Sequence, residues 1–170
     1  MEDKKKLRIK AKTIRQTLSM PAISKRLIEQ LRSKRYYKDA QNIMIYYPLT
    51  NEINLLSLLD DHKEFYLPRV DGKSLVVCPY KKGDELRRSE LGVGEPVNES
   101  VGAAVIDLVI VPSLMTDKNN FRLGYGGGYY DRFLRNYPDL TSVVLIAKEL
   151  VVEKLPREEH DVKMDFIIWG

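Results

Sequence analysis

The sequence has too few cysteines for an internal disulfide and no apolar run long enough to cross a bilayer. Cys78 is the single cysteine among 170 residues, and one thiol cannot be paired within the chain. It lies in the apolar run 75–78, where we expect a buried rather than a reactive side chain. The charged start Met-Glu-Asp-Lys-Lys-Lys has no apolar segment behind it. We therefore expect no signal peptide, no membrane association and a cytoplasmic location.

The sequence also lacks the common phosphate and metal motifs. A P-loop ends in Gly-Lys-Ser/Thr, and a dinucleotide fingerprint has the spacing Gly-x-Gly-x-x-Gly. The densest glycine cluster here instead reads Gly-Tyr-Gly-Gly-Gly-Tyr-Tyr. His160 has no histidine or cysteine partner at metal-ligand spacing, so a transition-metal site is not indicated. We find no internal repeat and no low-complexity segment.

The residues that are present predict a single α/β domain over residues 1–170. With 44% hydrophobic residues, a chain of this length can form a sheet covered by helices on both faces. Three runs are apolar on both alternations, which predicts buried and mainly parallel strands. These runs are 42–47, 103–111 and 141–147.

Two amphipathic helices are predicted ahead of the strands. The apolar stripe of the first consists of Leu7, Ala11, Ile14 and Leu18. We place Arg15 with the other cations on the polar faces of this helix. Ser19 is predicted to cap the second helix, which has a proline in its first turn.

The middle of the chain is predicted to contain a helix, a hairpin and a long loop. Apolar spacing over 53–59 predicts a helix with Glu52 in its first turn. The dipeptide Asp71-Gly72 lies between two apolar runs, which predicts a β-hairpin turn there. Residues 81–104 are polar and aperiodic, so we interpret them as a loop of the length that functional lids often have.

Glycine is scarce except in one cluster, residues 124–128, which we call the glycine loop. Four of the ten glycines fall in these five positions, directly before a helical pattern over 131–136. Free amides in such a turn, together with the helix dipole, form an anion site. Arg122 can clamp phosphate oxygens and Asp131 can hold magnesium. An ordinary glycine turn with a solvated arginine and a capping aspartate is an equally good interpretation of these residue types.

Positive charge is concentrated at the start of the chain. Residues 1–40 contain 13 lysines and arginines against 4 acidic residues, which leaves −5 for the remainder of a chain of net charge +4. A basic end is typical of nucleic-acid, membrane or anionic-ligand binding, or of a solvated helix face. An RNA-binding module needs aromatic side chains among its cations, and residues 1–35 contain none. We therefore expect no nucleic-acid partner.

The pattern Arg-Leu-Gly-x-Gly-x-Gly-Tyr-Tyr-Asp-Arg at 122–132 resembles the signature of the 5-formyltetrahydrofolate cyclo-ligase family, also called methenyltetrahydrofolate synthetases. Further matches to that family are Lys4, Arg8, Tyr47, Glu52 and Asp161. The resemblance implies a three-layer, sugar-isomerase/CoA-transferase-like fold. It also implies an ATP- and Mg²⁺-dependent enzyme that converts 5-formyltetrahydrofolate to 5,10-methenyltetrahydrofolate and releases ADP and phosphate.

The resemblance also implies roles for individual residues. Those implied for the nucleotide are Lys4, Arg8, Arg122, Leu123, Gly124, Tyr125, Gly126, Gly127, Gly128, Tyr129 and Tyr130. Those implied for the folate are Tyr47, Glu52, Tyr125, Gly126, Gly127, Gly128 and Tyr129. Mg²⁺ is assigned to Asp131 and Asp161, and catalysis to Arg122 and Asp131. Reduced folate and ATP are then the expected partners of a monomeric protein.

The sequence departs from the family pattern at three positions. Leu150 stands where the family generally has glutamine, and leucine cannot form a hydrogen bond there. Tyr125 and Gly127 stand where some members have arginine and lysine, which removes two potential phosphate contacts. Two alternatives therefore stay open: a non-catalytic nucleotide- or folate-binding paralogue and, less favoured, an RNA-binding module that uses the basic start.

Overall fold

A computed structural model describes residues 2–170 of the chain. The helices are α1 (Lys4–Gln16), α2 (Met20–Ser33), α3 (Arg35–Asp39) and α4 (Tyr129–Asn136). The strands are β1 (Asn42–Met44), β2 (Glu64–Asp71), β3 (Ser74–Pro79), β4 (Leu86–Arg88), β5 (Gly94–Pro96), β6 (Leu108–Ile110), β7 (Met115–Asp117), β8 (Arg122–Leu123), β9 (Thr141–Ile146), β10 (Val151–Val152) and β11 (Phe166–Trp169). Across these residues, no helix is both long and apolar enough to cross a membrane.

A six-stranded sheet in the order β11-β9-β6-β1-β2-β3 forms the centre of the molecule. All neighbours in this sheet are parallel except β2 and β3, which form the antiparallel edge. Ile43 and Met44 of β1 and all three residues of β6 are fully buried, so both faces of the central strands are covered. The predicted α/β class and mainly parallel sheet are confirmed. Two small sheets, β10-β7-β8 and β4-β5, accompany it.

The predicted strand over 103–111 is too long. Ala103–Val105 forms a 3-10 turn and only Leu108–Ile110 is a strand. The carboxylate of Asp107 accepts hydrogen bonds from the backbone N–H groups of Gln41 and Asn42 at 3.0 and 2.8 Å. Asp107 therefore marks the start of β6 and holds the start of β1 beside it.

The helix predicted over 53–59 is wrong. The chain forms a turn around Glu52 and then the 3-10 helix Leu56–Asp60. Side chains bind the backbone groups that an α-helix would use: Ser24 Oγ accepts from the N–H of Asn54, and Tyr46 donates to the carbonyl of Ile53. Such competition by side chains favours turns over helix. It was not visible in the apolar spacing because Ser24 comes from the distant helix α2.

Two further predictions need correction in detail. The β2–β3 hairpin exists, but Asp71 pairs with Ser74, so the turn residues are Gly72 and Lys73. Gly72 has the positive φ of +62° that favours glycine. The segment 81–104 is not an unstructured loop, since β4 and β5 pair antiparallel within it. Cys78 is buried as predicted, and burial raises the pKa of its thiol.

Candidate active site

A cleft of about 360 Å³ lies where the central strands β1 and β6 deliver their carboxyl ends. Tyr46 and Tyr47 follow β1, and Pro112 follows β6. The remaining walls come from α1, the β2–β3 and β4–β5 hairpins, the glycine loop and the tail around Asp161. Every residue assigned to the site from sequence borders this cleft: Lys4, Arg8, Tyr47, Glu52, Arg122, Leu123, Gly124, Tyr125, Gly126, Gly127, Gly128, Tyr129, Tyr130, Asp131 and Asp161.

The glycine loop presents bare backbone at the start of α4. Gly126 and Gly128 have φ values of +113° and +69°, and Gly128 is the N-cap of the helix. In the described part of the chain, the N–H groups of residues 125–128 donate to no backbone acceptor. A Cβ atom on Gly127 would lie 2.7 Å from the ring of Tyr129. Free donors, positive φ values and a helix N-terminus together form an anion-binding concavity. The helix begins two residues earlier than predicted.

Two cations of α1 flank the loop, one helical turn apart. Nε of Arg8 donates to the carbonyl of Gly124 at 2.8 Å, which places the guanidinium beside Gly126. Nζ of Lys4 lies 2.6 Å from Oδ2 of Asp161 and 3.1 Å from Oε2 of Glu158. The two cations therefore supply positive charge on the side of the loop that faces the tail.

Arg122 and Asp131, which flank the glycine loop in sequence, form a largely buried ion pair. Nη2 of Arg122 lies 3.4 Å from Oδ2 of Asp131, with side-chain exposures of 4% and 16%. Burial lowers the pKa of Arg122, although the neighbouring Asp131, Tyr130 and Asp161 oppose that shift. Nε of Arg122 is buried without a hydrogen-bond partner. A buried guanidinium with an unpaired donor is available to a further anion.

Asp131 and Asp161 are brought to the same end of the cleft. The backbone N–H of Val162, which follows Asp161, donates to Oδ1 of Asp131 at 3.1 Å. Donor atoms of Glu158, His160 and Asp161 lie within 4.8 Å of one another. Burial tends to raise the pKa of Asp161, but the hydrogen bond from Lys4 and the backbone N–H of Glu158 hold it below the ordinary value. Its carboxylate is therefore ionised at neutral pH.

Glu158 is a cleft residue that sequence reasoning missed. It lies three residues before Asp161, and the carboxylate of Asp161 accepts from its backbone N–H at 2.9 Å. That turn directs the side chain of Glu158 back toward Lys4. The run Glu158-Glu159-His160-Asp161 contains three acidic residues, so spacing alone could not indicate which of them shares a partner with Asp161.

Glu52 forms the acidic end of the opposite wall and is only 6% exposed. Its Oε2 accepts from the N–H of Leu49 at 2.9 Å, and its Oε1 accepts from the hydroxyl of Tyr125 at 2.7 Å. Burial and the charge of Glu52 raise the pKa of Tyr125, with Arg15 opposing them. Tyr125 therefore stays protonated and acts as a donor to Glu52. Tyr47 borders the same compartment and packs against Gly94, where a Cβ would lie 3.2 Å from its ring.

The prediction that Arg15 lies on a polar, solvent-exposed face of α1 is wrong. It is buried, with 6% exposure, and donates to the Tyr125 hydroxyl and to the carbonyl of Ser113. The signal was present, because Arg15 continues the i, i+4 row of Leu7 and Ala11, the other buried residues of this helix. Its charge concealed that row, since a buried arginine needs partners that only the folded chain supplies.

The tyrosines that end the glycine loop differ in their environment. Tyr129 lies under Arg132, whose Cζ is 4.9 Å from the ring centroid. Tyr130 packs against the core, with Arg122 5.8 Å from its ring. Leu123 is a buried residue of β8 that borders the cleft. Leu150 is buried in the 3-10 turn Lys148–Leu150 and does not border the cleft, so the departure from the family glutamine removes no contact there.

The fold and the cleft define the class of protein: an α/β enzyme with an anion-binding glycine loop at the carboxyl edge of a parallel sheet. The chain belongs to the 5-formyltetrahydrofolate cyclo-ligase family, whose model matches residues 1–170. It is similar to 5-formyltetrahydrofolate cyclo-ligases of Haemophilus influenzae, with 30% identity over 78% of each chain, and of Escherichia coli, with 29% identity over 76% of this chain and 78% of that one.

Solved structures of methenyltetrahydrofolate synthetases have the same fold. The Aquifex aeolicus 5,10-methenyltetrahydrofolate synthetase matches with a TM-score of 0.84 and 30% identity, over 98% of this chain and 89% of that chain. The Mycoplasma pneumoniae 5,10-methenyltetrahydrofolate synthetase matches with a TM-score of 0.78 and 20% identity, over 98% of both chains. At that lower identity, the second match supports the fold alone.

Proposed function

We propose that the protein catalyses the ATP-dependent cyclisation of 5-formyltetrahydrofolate to 5,10-methenyltetrahydrofolate, with release of ADP and phosphate. The observation that carries this proposal is the single cleft in which a cationic glycine loop faces the compartment of Tyr47 and Glu52. One cleft thus offers a place for a polyphosphate beside a place for a polar heterocycle. Membership of the family supports the same activity.

The glycine loop and its cations are proposed to hold the triphosphate. The free N–H groups of residues 125–128 provide donors, and Lys4, Arg8 and Arg122 provide charge around them. A phosphate oxygen would compete with the carboxylates that now pair with Lys4 and Arg122. Charge-assisted hydrogen bonds of this kind are the strongest that a neutral-pH site can offer.

Glu52 and Tyr47 are proposed to hold the pterin. Both oxygens of Glu52 already accept one hydrogen bond each, and each carboxylate oxygen retains a second lone pair. The aminopyrimidinone edge of a pterin offers adjacent N–H donors to such a carboxylate. The hydroxyl of Tyr125 fixes the orientation in which that edge would be received.

The acidic residues at the tail end of the cleft fit a hard divalent cation. Asp131 and Asp161 offer carboxylate oxygens at one end of the cleft, and Asp161 is ionised at neutral pH. We propose that they hold Mg²⁺, with Glu158 and His160 beside them. When bound, Mg²⁺ neutralises charge on the phosphate oxygens. Arg122 supports the same end by keeping Asp131 in place.

The proposed reaction needs no protein nucleophile. The formyl oxygen attacks the γ-phosphorus and the bond to ADP breaks, which converts a poor leaving group into a phosphate ester. N10 of the folate then attacks the activated carbon and loses its proton, and phosphate departs with the former formyl oxygen. The chain contributes by aligning the two substrates and by neutralising charge through Arg122 and the loop amides. Asp131 and Arg122 are accordingly the proposed catalytic residues.

The test is direct. Purified protein is mixed with ATP, Mg²⁺ and 5-formyltetrahydrofolate, and the absorbance of the methenyl product is followed, with each component omitted in turn. We expect product only in the complete mixture. Binding of both substrates without product would instead identify a non-catalytic paralogue, and no binding of either would refute the proposal.

We further propose that the protein acts in the cytoplasm as a monomer on these small molecules, without a nucleic-acid partner. Every residue assigned to the site comes from one chain. Three cations of the basic start, Lys4, Arg8 and Arg15, point into or beneath the cleft. Sedimentation analysis of the purified protein tests the monomer, and titration with RNA at low salt tests the absence of that partner.

A further inference from the structure

Tyr125 belongs to the glycine loop, but its hydroxyl reaches the opposite compartment of the cleft. The hydroxyl donates to Oε1 of Glu52 at 2.7 Å and accepts from Nη1 of Arg15 at 2.8 Å. Arg15 also donates to the carbonyl of Ser113. One phenol therefore connects a buried cation of α1, the loop that faces phosphate and the carboxylate that faces the pterin.

The hydroxyl is the direct link between two buried charges. Among residues 2–170, no hydrogen bond or ion pair joins Arg15 to Glu52 without it. Nε of Arg15 is buried with no partner, so this guanidinium has no spare acceptor to replace the phenol. Loss of the hydroxyl would leave Arg15 and Glu52 each short of a partner in a buried place.

The same hydroxyl also decides how Glu52 is oriented. The N–H of Leu49 holds one carboxylate oxygen and Tyr125 holds the other. With both bonds present the carboxylate has one orientation, whereas a single bond would let it rotate. The position of the phenol depends in turn on the glycine loop, since Tyr125 lies between Gly124, held by Arg8, and Gly126, held in positive φ.

We propose that Tyr125 is a positioning residue that couples the two substrates. A polyphosphate on the loop amides fixes the loop, the loop fixes the phenol, and the phenol orients Glu52 for the pterin. The effect is reciprocal, because any factor by which one ligand strengthens the other applies in both directions. This inference rests on the proposed function, since it assigns phosphate to the loop and the pterin to Glu52.

The experiment compares wild type with Tyr125→Phe, which keeps the ring and removes the hydroxyl. Calorimetric titration gives the Kd of 5-formyltetrahydrofolate with and without saturating adenylyl imidodiphosphate and Mg²⁺, and the reverse titration gives the Kd of the nucleotide analogue. For wild type we expect each ligand to tighten the other by about fivefold or more. For Tyr125→Phe we expect that factor to fall to within about twofold of unity, with the Kd of the analogue alone little changed.

Tyr137→Phe is the matched control. Tyr137 lies at the end of α4 away from the cleft, and its hydroxyl forms no hydrogen bond among the described residues. It should keep the wild-type coupling factor. A purely structural role for Tyr125 would lower Tm and weaken each ligand alone while leaving the factor unchanged, which overturns the proposal.

The remaining outcomes separate this inference from the proposed function. If wild type forms the methenyl product but neither ligand changes the Kd of the other, the inference is overturned and the proposed function stands. Absence of product and of binding refutes the function first, and the inference with it. Tyr125→Phe should melt somewhat lower than wild type, because Arg15 and Glu52 each lose a partner. A cooperative melting transition well above the titration temperature shows that the variant is folded and that its coupling factor is meaningful.

Discussion

Carboxylates lie at both edges of the central parallel strands, and those at the carboxyl edge add a cationic side chain to their backbone donors. At the amino edge, Asp107 accepts from the backbone N–H groups of Gln41 and Asn42. At the carboxyl edge, Asp131 and Asp161 each accept one backbone N–H as well, from Val162 and Glu158, but they are also paired with the side chains of arginine and lysine. A backbone N–H at a strand start is fixed in place and cannot follow a ligand. A side-chain cation can transfer its hydrogen bonds to a ligand.

The two carboxyl-edge pairs are both largely buried and differ in the number of partners that the cation has. The Arg122–Asp131 pair has side-chain exposures of 4% and 16%. Lys4 bonds both Asp161 and the exposed Glu158, so it has two alternative partners. Removing one member of a buried pair leaves an uncompensated charge. The expected effect of a substitution therefore depends on how many partners the remaining charge keeps and on whether the removed group is proposed to hold the metal.

The largest effect is expected for Asp131→Asn. This change removes a proposed metal ligand and the countercharge of Arg122 while it keeps the shape of the side chain. We expect kcat to fall by about 100-fold or more, with Tm lowered by about 4–8 °C for a loss of roughly 2 kcal/mol. The methenyl-absorbance assay and thermal melting measure these quantities.

Asp139→Asn is the control for that change, because Asp139 is exposed and outside the cleft. It should leave kcat and Tm close to wild type. Wild-type turnover of Asp131→Asn at limiting Mg²⁺ would contradict the assignment of Asp131 as a metal ligand. It would also show that the carboxylates at the carboxyl edge of the sheet are no more important for catalysis than Asp107 at the amino edge.

Gly126→Ala tests the bare backbone between the two carboxyl-edge pairs. Its φ of +113° is strained for alanine, and the new Cβ would lie 3.5 Å from Cζ of Arg8. We expect the Kd of the ATP analogue to rise by about 5–30-fold, since roughly 1–2 kcal/mol of strain and a methyl group are added where phosphate would lie.

Gly102→Ala is the matched glycine control. Gly102 has an ordinary φ of −63° and open space around the position of a Cβ. Nucleotide affinity should be unchanged and stability unchanged or slightly higher. Equal nucleotide affinities of the two alanine variants would contradict the proposed phosphate site.

Lys4→Met tests the Lys4–Asp161 pair and should have a smaller effect than Asp131→Asn. We expect the KM for ATP to rise by about tenfold, which corresponds to about 1.4 kcal/mol, with kcat within about threefold of wild type. The reason is that Lys4 is proposed to contact phosphate but not the reacting atoms. Lys5→Met, at an exposed position of the same helix, is the control, and indistinguishable KM values would place Lys4 outside the nucleotide site.

The sequence predicted those parts of the site in which the functional residues lie close together along the chain. Four glycines in five positions with Arg122 before them and Asp131 after them specify the loop, its flanking charges and the following helix within eleven residues. The cations Lys4 and Arg8 are one turn apart on a helix that its apolar stripe already indicates. In each case, neighbours in sequence are neighbours in space.

The parts that sequence could not predict depend on partners far away along the chain. Arg15 is buried because Tyr125, 110 positions later, supplies an acceptor. The helix predicted over 53–59 does not form because Ser24, 30 positions earlier, accepts from the N–H of Asn54. The β4–β5 hairpin has no alternating apolar pattern. Hydrogen bonds from distant side chains and ion pairs between distant residues leave no periodic pattern in the local sequence, so a sequence window cannot reveal them.

The smallest effect is expected for Asp107→Asn, and it should appear in stability but not in catalysis. Burial tends to raise the pKa of Asp107, but the N–H groups of Asn42 and Gln41 hold it below its ordinary value of 3.8. A carboxyl with a depressed folded-state pKa contributes stability above its ordinary pKa, and that contribution is lost as pH falls through the folded value.

In urea titrations, the free energy of unfolding of wild type should therefore exceed that of Asp107→Asn. This difference should be constant between about pH 7 and pH 5 and should shrink below about pH 4. The expected loss of Tm at neutral pH is about 2 °C, because both backbone N–H groups donate to the single oxygen Oδ2, which a neutral amide oxygen can replace only as a weaker acceptor. Turnover should match wild type, as it should for Asp139→Asn. The hydrogen-bond partners of Asp107 are Gln41 and Asn42, and neither borders the cleft. A large loss of turnover in Asp107→Asn would therefore contradict the assignment of catalysis to the carboxyl edge alone.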